Sequence, residues 1–434
     1  MRLNLTLNEF GNVCLLLFFG TIGYVPILMP NTGGALTAQR QMDQVHDINH
    51  VILLAIWGGI FYFLLKARFR LRLDLLSAKV ALVYCAVVVL GVVWSTDLQS
   101  AITTDTSAII STIYAIFLIS KFPSERLAVI LSWVVLLLAL GSAFFALILP
   151  QYGIDHFANT GAWQGVFGQK NSLGLVMVYG ITFALVLKPR SVIQRAWKLG
   201  ILFFCVAEVG LSQSREAWVA CAALFLVHSF LNVYSRFAPK SRGPVMFLGF
   251  LGASAVAGIA ATNWVSLLNL LGRDATLTGR TELWKAVLQE CKNHLWVGYN
   301  GRGFWGTANA TRVDAILRWP ATSSHNGFLE CLLQLGVVGL LPLLVLFSLA
   351  MSNGIKLLLS SSGFESSRLW IYSLLTITIF NMVQDTTGFF NSISWILLVG
   401  SACMLEQTAH TQAAIQDQFR SVRWTELEFA RRTV

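Results

Sequence analysis

The stretch LAVILSWVVLLLALGSAFFALIL, Leu127–Leu149, contains no charged residue and decides the class of fold. A run of about 20 apolar residues matches the length of an α-helix that crosses a bilayer. Eleven further runs are near that length or somewhat shorter. The twelve apolar runs are residues 12–29, 51–67, 75–95, 103–120, 127–149, 172–187, 199–211, 217–235, 246–268, 336–352, 369–383 and 393–405.

The composition of the whole chain agrees with these runs. Of the 434 residues, 56% are hydrophobic and only 12% are charged, whereas a soluble globular protein carries about 25% charged residues. We therefore predict an all-α polytopic membrane protein with about twelve transmembrane helices. The seven cysteines have no paired spacing, so neither a disulfide framework nor a zinc site is expected.

The positions of the basic residues predict the orientation of the chain. Cytoplasmic connections of membrane proteins are enriched in Lys and Arg, and every even-numbered run here is followed by them. Both termini are therefore expected in the cytoplasm, and the net charge of +10 reflects topology and gives no reason to invoke nucleic acid. The residues concerned are Lys66, Arg68, Arg70, Arg72, Lys121, Arg126, Lys188, Arg190, Arg195, Lys198, Arg236, Lys240, Arg242, Lys356 and Arg368, with Arg420, Arg423, Arg431 and Arg432 in the tail.

One long segment outside the membrane interrupts the apolar runs. Residues 1–271 are predicted to form transmembrane helices 1–9, 272–325 a periplasmic loop, 326–406 helices 10–12, and 407–434 a cytoplasmic tail. Connections as long as this loop are usually functional or disordered. Its interleaved cations and aromatic residues suit an acidic, sugar-bearing ligand, although tryptophans also mark membrane interfaces. The loop contains Arg273, Arg280, Lys285, Lys292, Arg302, Arg312 and Arg318, with Trp284, Trp296, Trp305 and Trp319.

The loop opens with an amphipathic helix pattern in LTGRTELWKAVLQECKNH. Leu283, Val287 and Cys291 recur every fourth residue, and Lys285 lies on the opposite face. Arg280 would lie in the first turn, where a cation is unfavourable unless an anion binds beside it. The alternative is a solvated arginine.

A glycine-rich stretch, GYNGRGFWG, follows at residues 298–306. No strand precedes it and no GK[ST] follows it, so it does not match a nucleotide-binding loop. We expect a tight turn that brings the backbone close to a ligand or to another loop.

Two further sites lie on the predicted outer side. LSQSREAWV places Arg215 between runs 7 and 8 with almost no loop. An ionisable residue at that depth is a functional candidate, and the alternative is an interfacial arginine that snorkels to water. FGQKNSLG places Lys170 and Asn171 just before run 6, where an interfacial lysine would also be unremarkable.

His325 lies in the stretch SSHNGFLE, residues 323–330, at the end of the loop. Ser323 or Ser324 could cap a helix that starts near His325. The helix dipole would then disfavour the imidazolium, and a neutral imidazole can act as a general base. The alternative is that the His or the Asn only completes the helix cap.

These motifs together resemble those of the O-antigen ligase and polymerase family, which includes bacterial exopolysaccharide polymerases. The matching elements are the SR pair at 214–215, GRxxLW at 279–284, the glycine-rich stretch that ends in Phe304, and HNxxLE at 325–330. GVFGQKNSLG, at 165–174, is similar to the exopolysaccharide-polymerase branch. The glycine stretch departs from the family pattern, because Tyr-Asn separates Gly298 from Gly301.

The resemblance implies a GT-C-like membrane glycosyltransferase in the bacterial inner membrane, with its active site facing the periplasm. It would transfer a glycan from undecaprenyl pyrophosphate to a sugar hydroxyl with inversion, without a metal ion or other cofactor. The implied catalytic residues are His325 as base, with Arg215 and Arg280 on the pyrophosphate. The implied substrate-binding residues are Lys170, Asn171, Asn326, Arg302, Arg273 and Glu330.

Three functions remain open at this point. The first is polymerisation of lipid-linked repeat units into an exopolysaccharide, capsule or O-antigen chain, and the second is ligation of O-antigen to lipid A–core. The third is a transporter or flippase, although transporters usually show repeated halves and ionisable residues near mid-membrane. The expected partners are the lipid-linked glycan, a glycan or lipid A–core acceptor, the bilayer and, as a further candidate, a chain-length regulator.

Overall fold

A computed structural model describes residues 2–20, 54–66, 71–95, 98–156, 159–262, 279–300, 304–305, 307–317, 321–360, 364–384 and 392–432. The described residues form helices, turns and connections with no named β-strand, which agrees with the all-α prediction. The helices are α1 (Leu7–Gly20), α2 (Leu54–Lys66), α3 (Leu76–Leu90), α4 (Leu98–Lys121), α5 (Ser124–Ile148), α6 (Lys170–Val186), α7 (Val192–Leu211), α8 (Arg215–Tyr234), α9 (Pro239–Thr262), α10 (Arg280–Cys291), α11 (Thr311–Leu317), α12 (Gly327–Leu359), α13 (Phe364–Val383) and α14 (Ile393–Arg432).

Several of these helices can cross a membrane by length and composition. Among the described residues, four segments meet both criteria: Leu76–Val93, Ser124–Ile148, Arg215–Tyr234 and Gly327–Leu359. The twelve spans and their orientation stay a prediction. The short run 199–211 belongs to the 20-residue helix α7, and helix α14 does not end at 405 but continues through most of the predicted tail.

Helix α6 lies at the centre of the bundle. Every residue from Ser172 to Ala184 is buried, and a helix that is apolar and buried on all sides is a core helix. It packs against α5, α7, α8 and α13. The first residues of α6 therefore lie in the middle of one end of the bundle. We call this end, where α6 and α8 begin, the outer end, following the predicted orientation.

Two hydrogen bonds between buried polar side chains join helices of this core. The Tyr179 hydroxyl of α6 donates to Ser394 Oγ of α14 at 2.9 Å, and the Trp395 indole donates to Thr112 Oγ1 of α4 at 2.9 Å. An unpaired polar group in an apolar core is costly, so these bonds fix which helices are neighbours.

Helix α12 is interrupted at Gly336, where φ is 62° and ψ is −163°. This conformation is essentially confined to glycine, and it divides α12 into segments 327–335 and 337–359. The loop backbone occupies the break, because Val337 N donates to Leu295 O at 2.9 Å and Tyr299 N donates to Leu333 O at 3.0 Å. The predicted apolar run 336–352 thus begins at the break, and SSHNGFLE, residues 323–330, leads into a separate short helix.

The predicted periplasmic loop has its own apolar cluster, which includes part of that short helix. In α10, Leu283, Val287 and Cys291 are buried and Lys285 is exposed, as the amphipathic pattern predicts. Leu288, which follows Val287, is exposed. The loop segments and the 327–335 helix therefore fold as one layer. The cluster consists of Leu283, Ala286, Val287, Cys291, Phe304, Ala310, Val313, Ala321 and Leu333.

Candidate active site

Lys170 and Asn171 form the first turn of the central helix α6 at the outer end. Both are half-buried. One turn further on, a Cβ at Gly174 would lie 2.7 Å from Ala217 Cβ and 3.0 Å from Ser214 Cβ. The starts of α6 and α8 are therefore in close contact, which brings the predicted Lys170 region beside the SR pair.

Arg215 is the first residue of α8 and directly follows the tight turn between α7 and α8, which we call the SR corner. Only three residues join α7 to α8, and Gln213 adopts a positive φ of 51° within them. Ser214 is the N-cap, and its side chain accepts a hydrogen bond from Ala217 N at 3.4 Å. Arg215 is half-buried, and it forms no hydrogen bond or ion pair within the described part of the chain. Its guanidinium is therefore available to an anion.

Arg280 is held at the same corner by an ion pair with Glu216. Helix α10 begins at Arg280, as predicted, after Gly279 in the left-handed conformation. Arg280 Nη2 lies 2.5 Å from Glu216 Oε1, and the two side chains are only 12% and 6% exposed. The solvated-arginine interpretation is therefore wrong. A guanidinium has five N–H donors, so one carboxylate contact leaves others for a second anion.

His325 precedes its helix instead of lying in the first turn. The N-cap is Asn326, whose Oδ1 accepts from Phe328 N at 3.1 Å and Leu329 N at 3.0 Å. The expected cap by Ser323 or Ser324 is thus wrong, because the helix begins later, at Gly327, and Asn326 is the residue whose side-chain oxygen accepts from its first turn. His325 instead adopts a positive φ of 50°.

The electrostatics of His325 favour a neutral imidazole. Burial, followed by the positive charge of Arg280, lowers the pKa of His325 to about 4. The direction agrees with the sequence prediction, but its causes are burial and Arg280 and not the helix dipole. Ser323 Oγ lies 3.5 Å from His325 Nδ1, which leaves Nε2 as the nitrogen without a protein partner in the described residues.

Asn326 and Glu330, both predicted to bind substrate, have their polar atoms engaged within the protein. Asn326 caps the helix and donates from Nδ2 to Met382 O at 3.1 Å. Glu330 is 1% exposed and accepts from Ser324 N at 2.7 Å and from the Trp305 indole at 2.8 Å. These contacts argue against direct substrate binding by either side chain.

The glycine-rich stretch packs along the break in α12. Gly298 has a φ of 66°, and a Cβ there would collide with the backbone of Gln334. Asn300 N donates to Gln334 O at 2.7 Å. The predicted close approach of backbone to another segment is confirmed. Arg302 and Arg273 lie outside the described residues, so their predicted roles stay predictions.

Two of the four loop tryptophans support residues 323–326, which we call the histidine turn, and do not simply mark a membrane interface. The Trp284 indole donates to Ser324 O at 2.9 Å, and the Trp305 indole donates to Glu330 as described above. Trp296 is 68% exposed, as an interfacial residue would be, and Trp319 lies outside the described residues.

Sequence reasoning missed Glu216 and the supporting role of Ser324. Glu216 had a readable signal, since a carboxylate beside an otherwise uncharged run needs a partner. Ser324 had none, because its contribution comes from its backbone N–H and C=O groups, which every residue except proline possesses.

Comparisons with known proteins show what this chain is similar to. Residues 200–344, which contain the SR corner, α10 and the histidine turn, match the family model described as O-Antigen ligase. The chain is 29% identical over 230 residues to the exopolysaccharide production protein ExoQ of Rhizobium meliloti (strain 1021), over 50% of this chain and 52% of that protein. The match thus spans about half the length of this curated relative. Both similarities agree with the resemblance to the O-antigen ligase and polymerase family that the motifs indicate.

Proposed function

We propose that this protein is a membrane glycosyltransferase that polymerises lipid-linked repeat units into an exopolysaccharide, capsule or O-antigen chain. The donor is a glycan on undecaprenyl pyrophosphate, and the acceptor is a sugar hydroxyl of a second glycan. The active site is the outer end of the bundle, facing the periplasm from the bacterial inner membrane.

The observation that carries the proposal is that cationic side chains and a neutral imidazole lie together at the outer end of the bundle. Arg215 is adjacent in sequence to Glu216, which holds Arg280, and Arg280 lies close enough to His325 for its charge to lower the pKa of that imidazole. Cations for a leaving pyrophosphate and a neutral base for a hydroxyl are the two groups that such a transfer requires.

The proposed step divides the work between these groups. The acceptor oxygen attacks the anomeric carbon while His325 Nε2 takes the hydroxyl proton. The bond from the anomeric carbon to the pyrophosphate oxygen breaks, and that oxygen keeps the electron pair. Because this is a single displacement, the configuration at the anomeric carbon inverts. Arg215 and Arg280 stabilise the developing charge, since a planar guanidinium suits phosphate oxygens, and Lys170 adds a further cation. Loss of one such donor costs about 10²–10³ in kcat.

Polymerisation is preferred to O-antigen ligation because of FGQKN at the start of α6 and the exopolysaccharide production protein among the relatives. The deciding experiment compares lipid-linked intermediates in a deletion strain. Loss of a polymerase leaves single repeat units on the lipid. Loss of a ligase leaves fully polymerised chains that are not attached, and that result would replace the first proposal with the second.

A transporter or flippase is the remaining alternative. The charged groups described above lie at one end of the bundle, whereas a transport path needs polar groups near mid-membrane. Purified protein in liposomes should lengthen a lipid-pyrophosphate glycan without other components. If the product stays at its original length while the lipid is flipped, the glycosyltransferase proposal fails.

A further inference from the structure

We propose that Glu330 is a positioning residue, which holds the backbone turn that aims His325 at the acceptor hydroxyl. The inference rests on the proposed role of His325 as base. It assigns Glu330 an indirect contribution in place of the substrate contact that its position in HNxxLE suggested.

Glu330 binds three different segments of the protein. Its Oε2 accepts from Ser324 N at 2.7 Å and its Oε1 accepts from the Trp305 indole at 2.8 Å. Oε1 also accepts from Gln334 Nε2, one turn further along the same helix. A carboxylate that is 1% exposed thus joins the histidine turn, the glycine-rich loop and the short helix 327–335.

The histidine turn, whose Ser324 N–H donates to Glu330, needs support from its surroundings. His325 has a φ of 50°, and a residue other than glycine in the left-handed region is retained only where its surroundings determine it. The preceding peptide groups are held from both sides, because Trp284 donates to Ser324 O at 2.9 Å while Glu330 accepts from Ser324 N. The Ser324 hydroxyl also donates to Asn326 O at 2.9 Å.

A carboxylate suits this position better than its amide isostere. The N–H groups of Ser324, Trp305 and Gln334 all donate to the two oxygens of Glu330, and a carboxylate has only acceptor atoms. Gln at position 330 would direct its own NH₂ group against at least one of these donors. One hydrogen bond would be lost and a buried donor left unsatisfied.

The break in α12 explains why the loss of hydrogen bonds at Glu330 would displace His325. The helix that carries Glu330 ends at Gly336, and its last carbonyls accept from Tyr299 N and Asn300 N of the loop. The helix is therefore anchored at its far end, so a disturbed Glu330 can relax only towards the histidine turn.

The test is the steady-state kinetics of the Glu330→Gln variant of the full-length protein in nanodiscs, with a lipid-pyrophosphate repeat unit as donor. We expect kcat to fall about 10²-fold, since a displacement of about 1 Å of a reacting group can cost that much. KM for the donor should change by no more than about twofold, because the donor pyrophosphate is held by the cations and not by this turn.

Glu290→Gln is the matched control. Glu290 is also a buried carboxylate of the loop layer, and it accepts from Asn293 Nδ2 at 3.0 Å and Tyr299 OH at 3.4 Å. Among the described side chains it forms no hydrogen bond to residues 323–326. Its kcat should stay within about threefold of the parent. Equal losses in the two variants, or a loss in Glu330→Gln that appears in KM alone, would overturn the proposal.

A double variant separates indirect from direct action. If Glu330 acts only through His325, the double variant with His325→Ala and Glu330→Gln should have the same residual activity as His325→Ala alone. An additional tenfold loss would mean that Glu330 contacts substrate or supports another group. Full activity of His325→Ala alone would remove the proposed base itself, whereas an inactive His325→Ala beside a fully active Glu330→Gln would refute only the positioning role.

Trp305→Phe provides the same test if Glu330→Gln does not fold. It removes the indole N–H that donates to Glu330 and keeps most of the aromatic volume. We expect kcat to fall by up to about tenfold, the equivalent of one hydrogen bond, with KM for the donor unchanged. An unchanged kcat would contradict the proposal.

Discussion

The ion pair between Arg280 and Glu216 allows stability and catalysis to be separated by mutation. Arg280→Ala removes the guanidinium whose Nη2 lies 2.5 Å from Glu216 Oε1 and leaves that carboxylate buried. Removing one partner of a buried ion pair typically costs about 3–5 kcal/mol. The side chains are 12% and 6% exposed, so solvent screening should reduce this cost little.

The expected result is two losses with different origins. Arg280→Ala should unfold at a lower temperature because of the unpaired Glu216, and its kcat should fall about 10²–10³-fold because a stabilising donor for the pyrophosphate is lost. Adding Glu216→Ala removes the buried charge. The double variant should therefore regain most of the lost stability but none of the lost activity.

Two measurements on the same purified samples check this. Thermal unfolding in detergent, followed by size-exclusion fluorescence, reports stability, and single-turnover extension of a lipid-pyrophosphate glycan reports chemistry. Activity that returns in the double variant would refute the reasoning, because Arg280 would then serve only to neutralise Glu216. So would an Arg280→Ala variant that retains full activity.

Other features of the site lead to further expectations. Because the pKa of His325 is lowered to about 4, the base form exists above that value, so kcat/KM should fall as pH drops through about 4; a fall centred near 6.5 in a pH–rate profile would contradict this. Asn326→Ala should lose about 1 kcal/mol of stability in a thermal unfolding assay, whereas Asn326→Asp keeps the cap oxygen, loses only the bond from Nδ2 to Met382 O, and should be destabilised less. Gly336→Ala should cost about 1–3 kcal/mol because of its backbone conformation, while Gly252→Ala, with open space around its Cβ position, should cost nothing in the same thermal assay. Activity should survive EDTA, and rescue by Mg²⁺ after its loss would contradict the metal-free mechanism.

Much of the site could be predicted because local sequence carries the relevant chemistry. Arg215 and Lys170 were identifiable as cations at the ends of apolar runs, where charge is costly without a purpose. Arg280 was placed correctly at the start of α10 by the period of the buried residues that follow it. These predictions depend on helical periodicity and on the scarcity of charge, both of which are visible within about 20 residues.

The supporting contacts could not be predicted, since they join residues far apart in the chain. Glu216 and Arg280 are separated by 64 positions, and Trp284 and Ser324 by 40. The sequence suggested that Glu330 would bind substrate, whereas its burial and its three donors place it behind the histidine turn. No local pattern distinguishes a carboxylate that faces a ligand from one that faces a backbone N–H group.

The sequence by itself determined that the chain is helical and apolar, and which motifs are candidates for its chemistry, because bilayer length and helical period are properties of short segments. Only the tertiary structure decided that SSHNGFLE begins a separate helix, since the break at Gly336 is stabilised by backbone bonds to residues 295–300. It also decided the state of His325. The dipole argument from sequence reached a neutral imidazole, but burial and the nearby Arg280 charge are what lower its pKa, and both depend on packing between distant segments.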